Sequence, residues 1–457
     1  MPGNLEMTVI SRRTILGGSA AAALSLSAAP HLSAYPRAPQ AKAVLAPTPP
    51  MGWNSWNSFA TTITEAQTLE QAAIMARELK PAGYDILTVD IQWYEPDASS
   101  YSYSAKPVPE MDGYGRLLPA PNRFPSSVGG KGFAPLADKV HSLGLRYGVH
   151  LMRGIPRLAV ERNLPVLGTD KRARDIADTS STCAWNPDMY GVDMTKPGAQ
   201  AYYDSVFALL ASWGVDFVKV DDLSRPYDAH APEIEAIHRA IGKTGRPMIL
   251  SMSPGETPVI RGDHARKYAQ MSRISDDFWD DWRLLHDQFT RLENWNPYMG
   301  DGFWPDADML PLGRLKLGER DSNFTPDEQC TLMTLWSIAR SPLIMGGDLR
   351  YLNDTTRALL TNPEVIAVNQ ASSDNQPHFL EDRLRVWTAR ASDGDTYLAL
   401  FNTSDRPDTF SVDLRHIALR AVRIRDLWQR RADGTASGHV ARTIPAHGAV
   451  LLRLRSV

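Results

Sequence analysis

The sequence predicts an α/β chain, a (β/α)8 barrel of the TIM type followed by a C-terminal antiparallel β-sandwich domain. Three observations carry that reading. From Gly52 onward, strand-like and helix-like segments alternate over about 320 residues, which favours a barrel over a doubly wound sheet. Within that stretch, the segment Phe217-Val218-Lys219-Val220-Asp221 puts Phe217, Lys219 and Asp221 on one face and Val218 and Val220 on the other. Apolar residues outward and a charged tip suit a parallel barrel strand, whose outer face lies under helices and whose C-terminal end carries chemistry. After Asn369-Gln370 the grammar changes to short strands separated by Asp, Gly, Ser and Pro turns. The expected division is therefore 1–43 as a leader and linker, 44–372 as the barrel, and 373–457 as the β domain. No glycine-rich phosphate fingerprint follows the first strand, which disfavours a dinucleotide fold.

The elements follow in order. Residues 30–50 are rich in Pro and Ala and form a linker. Thr64 with Gln67 three residues on is a capping box for a helix running to about Lys80, where Pro81 and Gly83 stop it. Residues 84–93 and 146–152 are strands, and 197–213 is a helix with Pro197 in its first turn. Next come strand 215–221, a helix near 232–242, and strands 248–253 and 271–275. Weaker strands are expected at 302–304 and 342–346, with a helix over 326–340 between them. In the β domain, 385–389, 396–402, 409–414, 421–428 and 450–455 are strands.

Composition narrows the function. At 457 residues the chain can bury a large core, and 43% hydrophobic with 22% charged residues is an ordinary globular balance. The net charge of −3 argues against a nucleic-acid partner, which a basic face or excess would signal. At the N-terminus, Ser11-Arg12-Arg13-Thr14-Ile15-Leu16-Gly17-Gly18 is a twin-arginine pattern followed by a small-to-apolar run to Ala29. That run is too short to span a bilayer and reads as an export signal. The expectation is a mature protein without a membrane anchor, delivered to the periplasm or outside the cell; the sequence leaves its oligomeric state open. The two cysteines, Cys183 and Cys330, form no metal-binding pattern.

The chemistry is expected at two acidic strand tips, Lys219-Val220-Asp221-Asp222 and Arg273-Ile274-Ser275-Asp276-Asp277. Each alone is also what a solvated loop carries. Together they supply two carboxyl groups, which glycosidic bond cleavage needs as nucleophile and acid/base. Asp221 shares its face with Lys219, whose charge favours the ionised carboxylate of a nucleophile. Asp222 points the other way. Asp277 is the acid/base candidate, with Phe278 and Trp279 expected to surround it with apolar groups. Lys219 and Arg273 would compete with a cation, so neither a metal nor a cofactor is expected.

Five ordered stretches resemble glycoside hydrolase family 27, the melibiase-type α-galactosidases. They are Thr48-Pro49-Pro50-Met51-Gly52-Trp53-Asn54-Ser55-Trp56-Asn57, Lys219-Val220-Asp221, Asp306-Ala307-Asp308-Met309-Leu310, Ser341-Pro342-Leu343-Ile344-Met345, and 362–370. The resemblance implies a retaining double displacement with Asp221 as nucleophile and Asp277 as acid/base, acting on a carbohydrate. It further implies that Trp56 stacks on the sugar, Asp90 holds the axial 4-hydroxyl, Lys219 bonds ring hydroxyls, and Arg273 and Asp308 contact the 2-hydroxyl side. Arg273 could instead be a structural partner of Asp276.

The chain departs from the family's pattern at several positions. Where α-galactosidases commonly carry two consecutive Asp residues, this chain reads Asp90-Ile91-Gln92-Trp93. Ile91 cannot accept a hydrogen bond from a 6-hydroxyl, although Gln92 could supply one. His150 stands where the family often has Tyr. Ser253 stands where it often has Glu, leaving room for a 2-acetamido group unless Glu256 compensates. Leu223 replaces the usual Cys two residues after the nucleophile, so Cys183 lacks its disulfide partner. The stretch 152–178 is additional and is expected to build a different subsite. The activity expected from the family is α-galactosidase. β-L-Arabinopyranosidase and α-N-acetylgalactosaminidase are the enzyme alternatives, and an inert sugar-binding barrel the non-enzyme one.

Overall fold

A computed structural model describes residues 44–381 and 383–457. The leader at 1–43 and its twin-arginine pattern lie outside the described residues. The barrel strands are β1 (Met51–Asn54), β2 (Ile86–Val89), β3 (Arg146–Met152), β4 (Phe217–Asp221), β5 (Ile249–Met252), β6 (Met271–Arg273), β7 (Trp304–Asp306) and β8 (Leu343–Met345). All pair in parallel, in the order β8-β1-β2-β3-β4-β5-β6-β7. A parallel bridge between Leu310 and Met345 joins the two ends. The helices that follow are α1 (Glu65–Glu78), α2 (Ala134–Ser142), α3 (Ala199–Ser212), α4 (Tyr227–Thr244), α5 (Gly262–Tyr268), α6 (Trp282–Trp295), α7 (Pro326–Ile338), α8 (Asp354–Thr361) and α9 (Pro363–Ala371). The eightfold strand–helix alternation is as expected, and the Thr64–Gln67 capping box opens α1.

Alternation along the strands builds the barrel interior in layers. At the base, Ile86, Phe217, Ile249, Met271, Trp304 and Ile344 form an apolar plug. Gly52 and Gly148 contribute no side chain at this level. A Cβ at Gly52 would meet the Ile86 carbonyl at 2.3 Å, and one at Gly148 would stand 3.1 Å from the Phe217 ring. Two residues further along each strand the interior turns polar, with Asn54, Thr88, Lys219, Ser251, Arg273 and Asp306 around a small cavity. Two residues beyond that come the tips, including Asp90 and Asp221. The outward faces carry Val218, Val220, Leu250 and Trp53 into a core shared with the helices. One period-2 pattern thus makes the plug, the polar layer and the acidic rim.

Two helix boundaries differ from expectation. Helix α4 begins at Tyr227, ahead of the expected start near 232, so Pro232 lies inside it and one main-chain hydrogen bond is forfeited there. Helix α3 begins after Gly198, so Pro197 precedes the first turn. Among the described residues no helix is long and apolar enough to cross a membrane.

The C-terminal strands are β9 (Ser373–Glu381), β10 (Leu384–Arg390), β11 (Thr396–Asn402), β12 (Asp408–Asp413), β13 (Ala421–Asp426), β14 (Arg431–Ser437), β15 (His439–Ile444) and β16 (Ala449–Ser456). Six form an antiparallel sheet in the order β9-β10-β11-β16-β13-β14, and β12 pairs with β15. One face of the large sheet (Val386, Leu398, Leu400, Leu452) meets Phe410 and Val412 of the small sheet. The other face (Trp387, Ala399, Phe401, Leu451) joins the barrel's helical core. Phe401 meets Phe289 of α6 edge-on at 5.0 Å, and the His447 ring stacks on Trp282 at 3.8 Å.

Candidate active site

The C-terminal ends of the barrel strands open into a cleft of about 800 Å3. Six of the ten candidate residues line it: Trp56, Asp90, Ile91, Lys219, Asp221 and Asp277. The two candidate carboxylates therefore face one cavity. Arg273, Asp308 and Ser253 lie beneath, around the small inner cavity, which Lys219 also borders. His150 lines neither space; it stands behind Asp221, fully buried.

Asp221 ends β4, only 4% exposed. Lys219 Nζ lies 3.8 Å from its Oδ1, and His150 Nε2 lies 2.8 Å from its Oδ2, off the line of a straight hydrogen bond. Burial alone would raise this carboxyl, but Lys219, His150 and Arg273 outweigh it and hold it at about 2. Its Oδ1 has no hydrogen-bond partner among the described residues. Lys219 reciprocates: burial pulls the ammonium down, while Asp221 and Asp90 more than offset that and raise it. Lys219 also donates to Asp90 Oδ2 at 3.0 Å, where the Asn54 amide donates at 2.6 Å. Asp90 Oδ1 accepts from the Ile91 main-chain N–H at 2.8 Å.

Asp277 corrects one expectation. Its side chain is 53% exposed, so apolar groups do not enclose it. The Phe278 ring turns inward onto Trp336 and Phe324, and Trp279 lies under Lys316, whose Nζ is 3.3 Å from the ring centre. What stands beside Asp277 is the Arg273 guanidinium, at 3.4 Å. Arg273 pairs more closely with Asp308 at 2.7 Å and not with Asp276, which reaches Arg225 at 2.9 Å. Asp308 also accepts from the Phe278 N–H at 2.8 Å and so fixes the main chain next to Asp277. Burial pushes the Asp308 carboxyl up against the opposing pull of Arg273.

Three further expectations change. Gln92 is turned away from the cleft and donates to Asp188 at 2.7 Å. Glu256 is 3.5 Å from Arg291 and is not part of the cleft wall, so it does not compensate for Ser253. Ser253 itself, 1% exposed, is 3.5 Å from Arg273 in the inner layer. The additional stretch 152–178 folds with the residues after it into a three-stranded antiparallel sheet of Ile155–Pro156, Met189–Val192 and Ala177–Thr182. The part that reaches the cleft lies beyond it, at Thr182, Ala184 and Trp185.

Sequence reasoning also missed the residues that hold these loops. Arg153, 1% exposed, donates to the Asp222 main-chain oxygen at 2.9 Å, to its carboxylate at 2.8 Å and to Glu233 at 2.5 Å. Its own N–H bonds the Asp221 carbonyl at 2.9 Å. Tyr203 donates to Glu233 as well. Cys183, a free thiol, hydrogen-bonds the Asp222 carboxyl, so Asp222 is committed to this network. Tyr101 and Tyr103 join the cleft wall from the loop after β2. Their aromatic rings in a turn-rich stretch beside a strand tip were the available signal.

Fold and family models together define a glycoside hydrolase. The model described as Alpha galactosidase A matches residues 168–371, and that of the Alpha galactosidase C-terminal beta sandwich domain matches 381–454. The chain is 29% identical over 411 residues to an α-galactosidase of Cyamopsis tetragonoloba, covering 88% of this chain and 85% of the relative. Among solved structures, a family 27 β-L-arabinopyranosidase from Geobacillus stearothermophilus is 48% identical. That match covers 90% of this chain and 97% of the other, with a TM-score of 0.89. A candidate α-N-acetylgalactosaminidase of Bacillus halodurans is 46% identical, with a TM-score of 0.81 and coverage of 90% and 97%. The chain belongs to glycoside hydrolase family 27.

Proposed function

We propose that the protein is a retaining exo-glycosidase that prefers terminal β-L-arabinopyranosides over α-galactosides. Asp221 attacks the anomeric carbon as the glycosidic bond breaks, and Asp277 gives its proton to the departing oxygen. A glycosyl ester on Asp221 and a free aglycone result. Asp277 then takes a proton from water, the water oxygen attacks the same carbon, and the Asp221 carboxylate leaves with configuration retained. The strongly held negative charge on Asp221 and its unpartnered Oδ1 support the nucleophile's role. The half-exposed Asp277 on the same cleft supports exchange of protons with leaving group and water.

One observation carries the choice of sugar. Ile91 lines the cleft beside Asp90 while Gln92 is bonded elsewhere, so neither position after Asp90 offers a 6-hydroxyl an acceptor. A buried hydroxyl left unpaired costs about 1–3 kcal/mol. β-L-Arabinopyranose keeps the ring configuration of galactose and has no C6, so it avoids that loss. The 48% identity to an arabinopyranosidase supports the same reading.

The deciding experiment is a panel of p-nitrophenyl β-L-arabinopyranoside, α-galactoside and α-N-acetylgalactosaminide. The reading requires the highest kcat/KM on the arabinoside; a preference for either hexoside would overturn it. The Arg12-Arg13 leader supports export of the folded enzyme. Replacing both with Lys should strand the enzyme in the cytoplasmic fraction, and unchanged export would remove this assignment.

A further inference from the structure

The cleft is larger than one pyranose ring needs, at about 800 Å3 against a general range of about 300–1,000 Å3 for whole ligands. Trp56, Asp90, Ile91, Lys219 and Asp221 are the lining residues that the proposed reaction uses on the cleaved sugar. The wall also includes Tyr103, Thr182, Trp185, Arg225, Pro226 and Asp276, and the Tyr103 ring stands 6.4 Å from Trp56 and 5.5 Å from Trp185. Trp185 stands out chemically. The chain has twelve tryptophans, and Trp185, at 40%, is the exposed one among the described residues. On a cleft wall, an exposed indole offers a ligand a flat apolar face with a polar edge.

Its mounting is rigid. Cys183, two residues before it, is tied to Asp222. Asn186, one residue after, is 1% exposed and accepts from the Asp188 N–H at 2.7 Å. Asp188 in turn is gripped by Gln92 at 2.7 Å and Tyr94 at 2.5 Å. The Tyr103 ring leans against the indole at 5.5 Å. Elsewhere on the same wall, the Arg225–Asp276 pair, 62% and 69% exposed, offers both hydrogen-bond donors and an acceptor. An aromatic face together with a charged donor–acceptor pair is the complement of a sugar, which has a C–H face and a rim of hydroxyls. A lipid or alkyl group would leave that pair unanswered.

We infer that Trp185 is the platform of a leaving-group subsite, and that the aglycone it takes is itself a sugar. The inference rests on the glycosidase reading above. The test compares kcat/KM for a disaccharide ending in β-L-arabinopyranose with that for methyl β-L-arabinopyranoside, in the native enzyme, Trp185→Ala and Trp185→Phe. The ratio of disaccharide to methyl glycoside should fall about tenfold in Trp185→Ala, the scale of one aromatic contact. It should stay near the native ratio in Trp185→Phe, which keeps a ring. An unchanged ratio in Trp185→Ala, or an equal fall in Trp185→Phe, would overturn the inference. A native enzyme that cleaves neither compound would bring down the arabinopyranoside reading on which this substrate pair rests, an outcome distinct from failure of the Trp185 ratio.

Discussion

Replacing Lys219 with Met should move the acid limb of the pH–rate profile. Lys219 Nζ lies 3.8 Å from Asp221 Oδ1, and the carboxyl it helps hold down stands at about 2. At an effective dielectric constant of about 20, two unit charges at that distance interact by about 4 kcal/mol, equivalent to about three pH units. His150 and Arg273 remain in the variant, so that figure is the upper bound. As the nucleophile proposed above, Asp221 must be ionised, and activity is lost as pH falls through its pKa. Removing the cation raises that pKa, so the loss should begin at higher pH in Lys219→Met, up to about 5. The assay is kcat/KM against pH on p-nitrophenyl β-L-arabinopyranoside, with thermal melting followed in parallel. Melting matters because Asp90, fully buried, loses its ion-pair partner too. The absolute rate will drop, but the position of the limb does not depend on that drop. A variant whose acid limb coincides with that of the parent would refute the assignment of Lys219 as the group that keeps Asp221 charged.

Ile91→Asp gives the C6 side of the cleft a charged acceptor, so kcat/KM on the α-galactoside relative to the arabinoside should rise roughly 10- to 100-fold. A constant ratio would mean Ile91 does not face that carbon. Asp221→Gly should be inactive on native-like substrates and be rescued by azide, releasing a glycosyl azide of inverted anomeric configuration that NMR would identify; rescue with retained configuration would point to another nucleophile. Arg153→Met leaves Asp222 and Glu233 buried without their cation, and urea unfolding should show a loss of about 3–5 kcal/mol. A loss below about 1 kcal/mol would mean that these carboxyls find other partners or are neutral.

The legible parts of the sequence were those where one local rule decides. The Phe217–Lys219–Asp221 alternation and the Thr64–Gln67 box each rest on short-range geometry, and both hold. The helix near 232–242 starts earlier than its pattern suggests, at Tyr227, because α4 accommodates Pro232 in its interior. Helix α6 went unread despite Leu285, Phe289, Leu292 and Trp295 falling on one face. Strand β14 reads Arg-Ala-Asp-Gly-Thr-Ala-Ser, with no apolar alternation, and is a strand because it pairs at the sheet edge with β13. At the site, sequence could name His150, Ser253, Arg273 and Asp308 but not their depth. Which side of Asp221 a residue occupies depends on its layer in the closed barrel, and that follows from register among eight strands. The network of Arg153, Asp222, Glu233 and Tyr203 joins four distant segments, beyond what local pattern can reveal.

The large C-terminal sheet is covered on both sides, and one cover is the barrel itself. Severing the chain near residue 372 would strip Trp387, Phe401 and Leu451 from α6 and α7, leaving each fragment with a greasy scar in place of a finished surface. Chimeras among relatives should therefore exchange the catalytic half and its companion sheet as a matched set, with crossovers confined to the rim loops. Substrate preference can drift there, and the join between the two halves has far less freedom to change.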